Sequence, residues 1–327
     1  MKALLCREFG PPQGLQIAEV PDPQPGADQV LIEGEYASLN FPDILMAAGT
    51  YQGCPSLPFV PGMEMAGLVR AVGANVTEFS PGDRVLARTG GSGAFAELAN
   101  AHKDDVFAVP DGLSFEKAAG FSVSYGSTYH ALCDRGRLRA GETLLVLGAG
   151  GGTGLNAVEL GKAMGAYVVA AAGSDEKLDA ALAYGADAVI NYRKTPRFRA
   201  EVKSLTNGNG ADVVFDPVGG DAFDESVRCI AWEGRILVFG FASGRIPSCP
   251  TNLLLVKGCE LVGVFTGAFA RKSPQNNRKN ISRMLSWVGE GKLNPPPPRI
   301  FKLEEVPEAM WHLQNRSLVG KAAIKLR

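Results

Sequence analysis

The chain has 327 residues, with 33 basic against 34 acidic side chains and 46% of its residues from the apolar set. That length and balance give roughly two domains with cores of their own and exclude disordered and fibrous classes. A formal charge of −1 leaves no basic surplus for nucleic acid or an anionic membrane, so the implied partner is a small molecule.

Met1 to Cys6 run directly into Arg7 and Glu8, which leaves no room for a signal-peptide core. No apolar run reaches the roughly 18 residues a membrane helix needs. The six cysteines are scattered without a C-x-x-C spacing, which fits a reducing compartment. The expectation is a cytoplasmic protein with no membrane span.

The first 120 or so residues carry short strand-like runs, Val30 to Ile32, Ala66 to Val72 and Arg84 to Leu86, divided by Pro/Gly turns such as Pro58 to Gly62. From about residue 123 strands alternate with helical segments. The predicted strands are Thr143 to Leu147, Tyr167 to Ala171, Ala188 to Ile190, Asp212 to Asp216, Arg235 to Phe239 and Glu260 to Phe265, with helices from about Gly152 and Asp175. Such alternation predicts a Rossmann-type α/β domain, a doubly wound parallel sheet. After Gly267 come a helix near Asn280 to Val288, the Pro295 to Pro298 run and a last strand Ala322 to Leu326. That tail is too small for its own core, so the expected division is 1–122, 123–267, and a return segment 268–327 that completes the first domain.

Leu144 to Leu147 read as a buried strand that turns through Gly148-Ala149-Gly150-Gly151-Gly152-Thr153-Gly154 into a helix. Glycines let the backbone turn and approach a pyrophosphate, and the helix N-terminus attracts its charge. The spacing is G-x-x-G-x-x-G rather than G-x-G-x-x-G. An NAD-binding second strand usually ends in an acid that bonds the ribose 2′-OH. Here it ends Ala172-Gly173-Ser174, which leaves room for a 2′-phosphate contacted by Ser174 and Lys177 and so favours NADPH. Two alternatives stay open: Ser174 as a plain helix cap, and Asp175 reaching the ribose, which would make NADH competitive.

With these residues in place, the chain resembles the zinc-independent medium-chain dehydrogenases/reductases of the quinone oxidoreductase (zeta-crystallin-like) family. The resemblance runs nearly end to end, through Ser38 to Asp43, Gly49-Thr50-Tyr51, Gly82 to Val85, Tyr129 to Leu132, the glycine loop, Gly185-Ala186-Asp187, Asp216 to Gly220, Gly240-Phe241 and Gly320-Lys321. It implies a GroES-like, β-rich catalytic domain beside the Rossmann domain. It also implies a nucleotide loop of Gly151, Gly152, Thr153 and Gly154, a 2′-phosphate pocket of Gly173, Ser174, Lys177 and Tyr192 with Arg193 assisting, and nicotinamide contacts from Gly240, Phe241, Phe265 and Thr266. Thr153 stands where the family commonly has Val.

The family's zinc-using relatives hold metal at places that here carry Asn40, Met63-Glu64 and the Ser122 to Ser127 region, which implies no metal site. Without a Lewis acid, the hydride acceptor must already be electrophilic, as a quinone or conjugated carbonyl is. The resemblance offers Tyr51 as proton donor and Asn40 as a second catalytic candidate, against the simpler readings of loop packing and helix capping. Substrate is expected between the two domains. The last Rossmann strand is expected to pair across a two-fold axis in a homodimer. The reading is an NADPH-dependent quinone or enone reductase; an enoyl-thioester reductase and an NADPH-binding protein with negligible turnover remain as alternatives.

Overall fold

The computed structural model describes residues 1–327, which form two units. The first comprises Met1–Tyr125 and Pro274–Arg327. Its seven-stranded sheet runs Arg299–Lys302, Ala322–Lys325, Gln29–Ser38, Glu64–Val72, Arg84–Arg88 and Val106–Ala108, with Leu98–His102 also paired to Gln29–Ser38. The segment after residue 273 thus contributes two strands, and its helix Val306–Gln314 buries Val306, Ala309 and Met310 in the same core as Val30, Ile32, Met65 and Phe95.

One close approach sets the register of the two longest strands. Gly34 stands opposite Gly67, and a Cβ on Gly67 would collide with the Glu33 carbonyl oxygen. Backbone against backbone cannot yield as a flexible side chain can, so glycine is required there. With that register Ala37 faces Met65, which brings the chain just past Ser38 beside Glu64.

The second unit, Gly126–Ser273, holds six parallel strands in the order Ala188–Asn191, Tyr167–Ala172, Thr143–Leu147, Ala211–Asp216, Ile230–Val238 and Glu260–Gly263. Numbered along the chain this is 3-2-1-4-5-6, the doubly wound order whose switch point lies between the strands at 143 and 211. Leu144 to Leu147 have no exposure, as expected for a strand covered on both faces. The α/β expectation therefore holds in both its parts.

Two details differ from the sequence reading. The fifth strand begins at Ile230 rather than Arg235, because its amino-terminal half, Ile230 to Glu233, carries the exposed Trp232 and lacks a continuous apolar signal. The sixth ends at Gly263, since Phe265 already caps the helix Thr266–Lys272. Arg135 and Arg137 tie down the sheet edge: Arg135 Nε donates to the Gly263 carbonyl, and Arg137 forks onto Glu260 at 2.7 and 2.8 Å. All six cysteines are free thiols, and no helix is long and apolar enough to cross a membrane.

Gly67→Ala should cost about 1–3 kcal/mol, because the strand must move to admit one methyl. Thermal unfolding checks this, and an unchanged midpoint would contradict the register argument.

Candidate active site

In the second unit the loops after the parallel strands come together. Gly148, at φ 62°, turns the chain off the first strand, and helix Gly152–Ala163 begins after Gly151. A Cβ on Gly154 would strike the Gly148 carbonyl, so helix and strand approach as only glycine permits. The first helical bond runs from Leu155 N–H to the Gly151 carbonyl. The N–H groups of Gly152, Thr153 and Gly154 therefore face out of the helix end, as an anion needs.

Lys177 lies across this turn, since a Cβ on Gly150 would meet the Lys177 stem. Ser174 caps helix Asp175–Ala183 by position, with extended backbone, but its hydroxyl makes no capping bond. A Cβ on Gly173 would come within 3.2 Å of the Tyr192 ring and 3.3 Å of Arg193 Nε, which places both side chains over the end of the second strand. Asp175 is engaged elsewhere. Its carboxylate accepts Asn191 Nδ2 and Lys194 Nζ, each at 2.7 Å, and these bonds, Lys194's first, hold it below the usual carboxylate range.

On the other side of the switch point, Asp216 Oδ1 accepts the N–H groups of Val218 and Gly219, both at 2.8 Å. A Cβ on Gly148 would lie 3.1 Å from Val218, and Gly240 and Phe241 pack on Pro217 and Gly219. Phe265 and Thr266 follow the sixth strand, with Val264 N–H bonded to the Val238 carbonyl. Composition and spacing did not point to one further contact. His130, 5% exposed, stacks its ring on Phe269 at 3.8 Å while Nδ1 meets Asp134 at 2.7 Å, pinning helix Thr266–Lys272. Its i,i+4 spacing to Asp134 was readable; Phe269, far along the chain, was not.

The first unit carries the other candidates. Asn40 precedes helix Phe41–Ala47, and its N–H donates to Asp43 Oδ2 at 2.8 Å. Its side chain does more than cap. Nδ2 donates to Glu64 Oε1 at 2.9 Å, and Oδ1 accepts Lys321 Nζ at 2.7 Å. Glu64 Oε2 accepts the Ser122 hydroxyl at 3.1 Å and the Val123 N–H at 2.7 Å, while Lys321 also bonds the Leu39 carbonyl. Past the helix, Gly49 turns at φ 72° and the N–H groups of Thr50 and Tyr51 both bond the Leu45 carbonyl, leaving Tyr51 half-buried on this unit's core.

Asp43 and Glu64 have no exposure, and the Lys321 ammonium lies 3.8 Å from Glu64 Oε1. Burial pushes the Asp43 carboxyl up to about 7, despite the Asn40 N–H and the Lys321 charge pulling it down. Burial likewise lowers the Lys321 ammonium, opposed by Glu64 and Asp43.

Two family descriptions match the chain: "Alcohol dehydrogenase GroES-like domain" over residues 26–111 and "Zinc-binding dehydrogenase" over 152–287. Quinone oxidoreductase-like protein 2 of Mus musculus is 38% identical over 327 residues, covering all of this chain and 92% of the relative. The chain belongs to the quinone oxidoreductase family of medium-chain dehydrogenases/reductases. The quinone oxidoreductase of Pseudomonas aeruginosa is 32% identical across 99% of both chains. A crystal structure of the Escherichia coli quinone oxidoreductase complexed with NADPH superposes with a TM-score of 0.90 at 28% identity, covering 99% of this chain and 100% of that one.

One of those descriptions names zinc, and the donors here do not fit it. Asn40 has both ends of its amide committed, Glu64 has both oxygens bonded, and an ammonium already touches the pair. No three His, Cys, Asp or Glu side chains converge anywhere in the chain.

Removing the cation leaves two carboxylates in one core. Lys321→Met should lose roughly 3–5 kcal/mol at pH 8, read by urea unfolding, with Lys321→Arg losing less. Asp43 gives a pH signature of definite sign. Its folded pKa lies above the ordinary 3.8, so the folded chain holds a proton that the unfolded chain releases, and its contribution to stability falls as pH rises from about 4 to about 7. Asp43→Asn keeps the acceptor for the Asn40 N–H and abolishes that titration. The variant should gain on the wild type by on the order of a few kcal/mol between pH 4 and 8. Parallel stability curves over that range would overturn the assignment.

Proposed function

We propose that the chain is an NADPH-dependent reductase of quinones and other conjugated carbonyls that works without a metal. The observation that carries the cofactor choice is the commitment of Asp175 to Asn191 and Lys194, beside a Ser174 hydroxyl with no capping bond and the Tyr192 and Arg193 side chains over Gly173. An acid so engaged does not compete for a ribose 2′-OH, and the remaining groups suit a phosphate. The Escherichia coli relative crystallised with NADPH supports the same reading.

NADPH, when bound, supplies a hydride. The residues of this chain do the rest. The glycine-loop N–H groups and helix end hold the pyrophosphate, Ser174, Lys177, Tyr192 and Arg193 hold the 2′-phosphate, and Gly240, Phe241, Phe265 and Thr266 line the nicotinamide end. Because no metal polarises the acceptor, the substrate is one whose conjugation already does so. Tyr51 donates the proton that the reduced oxygen or carbon requires, from a loop whose backbone is fixed onto Leu45. Asn40 and its partners keep that loop's preceding helix anchored.

The strand Glu260–Gly263 is the open edge of the six-stranded sheet, and Leu261 on it lies with Trp232, Leu255 and Val256 among the exposed large apolar side chains. An unpaired apolar edge is a pairing surface, and a homodimer through this strand is part of the proposal.

The test follows loss of NADPH absorbance with an ortho-quinone, in parallel with NADH and with crotonyl-CoA, in the presence of a strong chelator. Turnover favouring NADPH and quinone, unaffected by the chelator, is the expected result. Preference for crotonyl-CoA reassigns the substrate to enoyl thioesters, and activity lost to the chelator removes the metal-free reading. Tyr51→Phe should lower kcat by about 10²-fold or more with the NADPH Kd unchanged. Tight NADPH binding with no turnover, and no effect of Tyr51→Phe, would mark a binding protein.

A further inference from the structure

The pocket assigned to the 2′-phosphate holds one group of the wrong charge. Asp175 starts the helix directly after Ser174 and is exposed, so a phosphate on Ser174 would feel its carboxylate. Like charges at that range disfavour binding by several-fold unless one is neutralised. The structure supplies the neutralising group from the turn after the next strand, Ala188–Asn191. Lys194 Nζ lies 2.7 Å from Asp175 Oδ2, and Asn191 Nδ2 lies 2.7 Å from Oδ1. The Asn191 Oδ1 in turn accepts the N–H groups of Arg193 and Lys194, at 3.1 and 3.4 Å, so the same contact shapes the turn that carries Tyr192 and Arg193 over Gly173.

We propose that the Asp175–Lys194 ion pair, braced by Asn191, is a specificity latch: it cancels the one repulsive charge beside Ser174 and thereby sets the preference for a 2′-phosphorylated nucleotide. The inference rests on the NADPH reading above. Both side chains are mostly exposed, at 63% and 69%, so the pair adds little to folding stability and its effect belongs to binding. Lys194 acts here through Asp175, as a positioning and neutralising residue, and the phosphate itself is held by Ser174, Lys177, Tyr192 and Arg193.

Isothermal titration of the full-length chain with NADPH and with NADH measures the ratio of the two Kd values. Wild type should favour NADPH. Lys194→Met should cut that ratio by about fivefold or more, and Lys194→Met combined with Asp175→Asn should bring it back to within about twofold of wild type. All variants should unfold at the wild-type temperature. An unchanged ratio in Lys194→Met overturns the latch. So does a double variant as poor as the single one, because Lys194 would then be contacting the phosphate directly. Equal affinity of the wild type for the two nucleotides would overturn the NADPH reading itself, a failure seen before any substitution is made.

Discussion

Two fully buried carboxylates close together in one core must either share a cation or stay partly protonated, and the first unit does both. Lys321 reaches Asn40 and Glu64 from the chain's last seven residues, and Asp43 keeps its proton toward neutral pH. A buried charge cluster of this kind contributes little net stability compared with apolar packing, yet breaking it is expensive. Its consequence is positional. The strand end at Ser38, the helix start at Asn40 and the C-terminal strand are held to one arrangement, and the loop carrying Tyr51 follows from the far end of that helix.

The second unit solves a different problem with a different device. The proposed anion site needs backbone N–H groups with no competing side chains, and the glycines at 148, 150, 151, 152 and 154 are suited to supply them. Here the constraint is steric rather than electrostatic. The Gly148 carbonyl sits where a Cβ of residue 154 would be, so helix and strand can close on each other at the sheet's switch point. Once that junction is fixed, the parallel order brings the ends of the other strands to the same rim, and residues as distant as Gly173 and Tyr192 become neighbours.

The two devices also differ in how they appear along the chain. A glycine loop between an apolar strand and a helical pattern is local, and the strand-to-helix junction could be read from the eleven consecutive residues Leu144 to Gly154. The Asn40 candidate was read as a cap or a catalytic group, and its actual partners, Glu64 and Lys321, are 24 and 281 residues away. Ser174 shows the converse. Its position is that of a helix cap, as the sequence suggested, but the capping bond is not made and the hydroxyl is left for another role.

By itself the sequence determined the strand and helix periods of the second unit, the glycine junction, the family and the absence of zinc-type donors at the matching places, because each of these is written in neighbouring residues or in residue type. Tertiary structure alone decided which way Asp175 faces, that Lys321, just ahead of the last strand, meets Asn40 and Glu64, and that His130 stacks on Phe269. Those contacts join segments separated by up to 281 residues. No local periodicity encodes them, since they exist only once sheet order and register have brought the chain ends together.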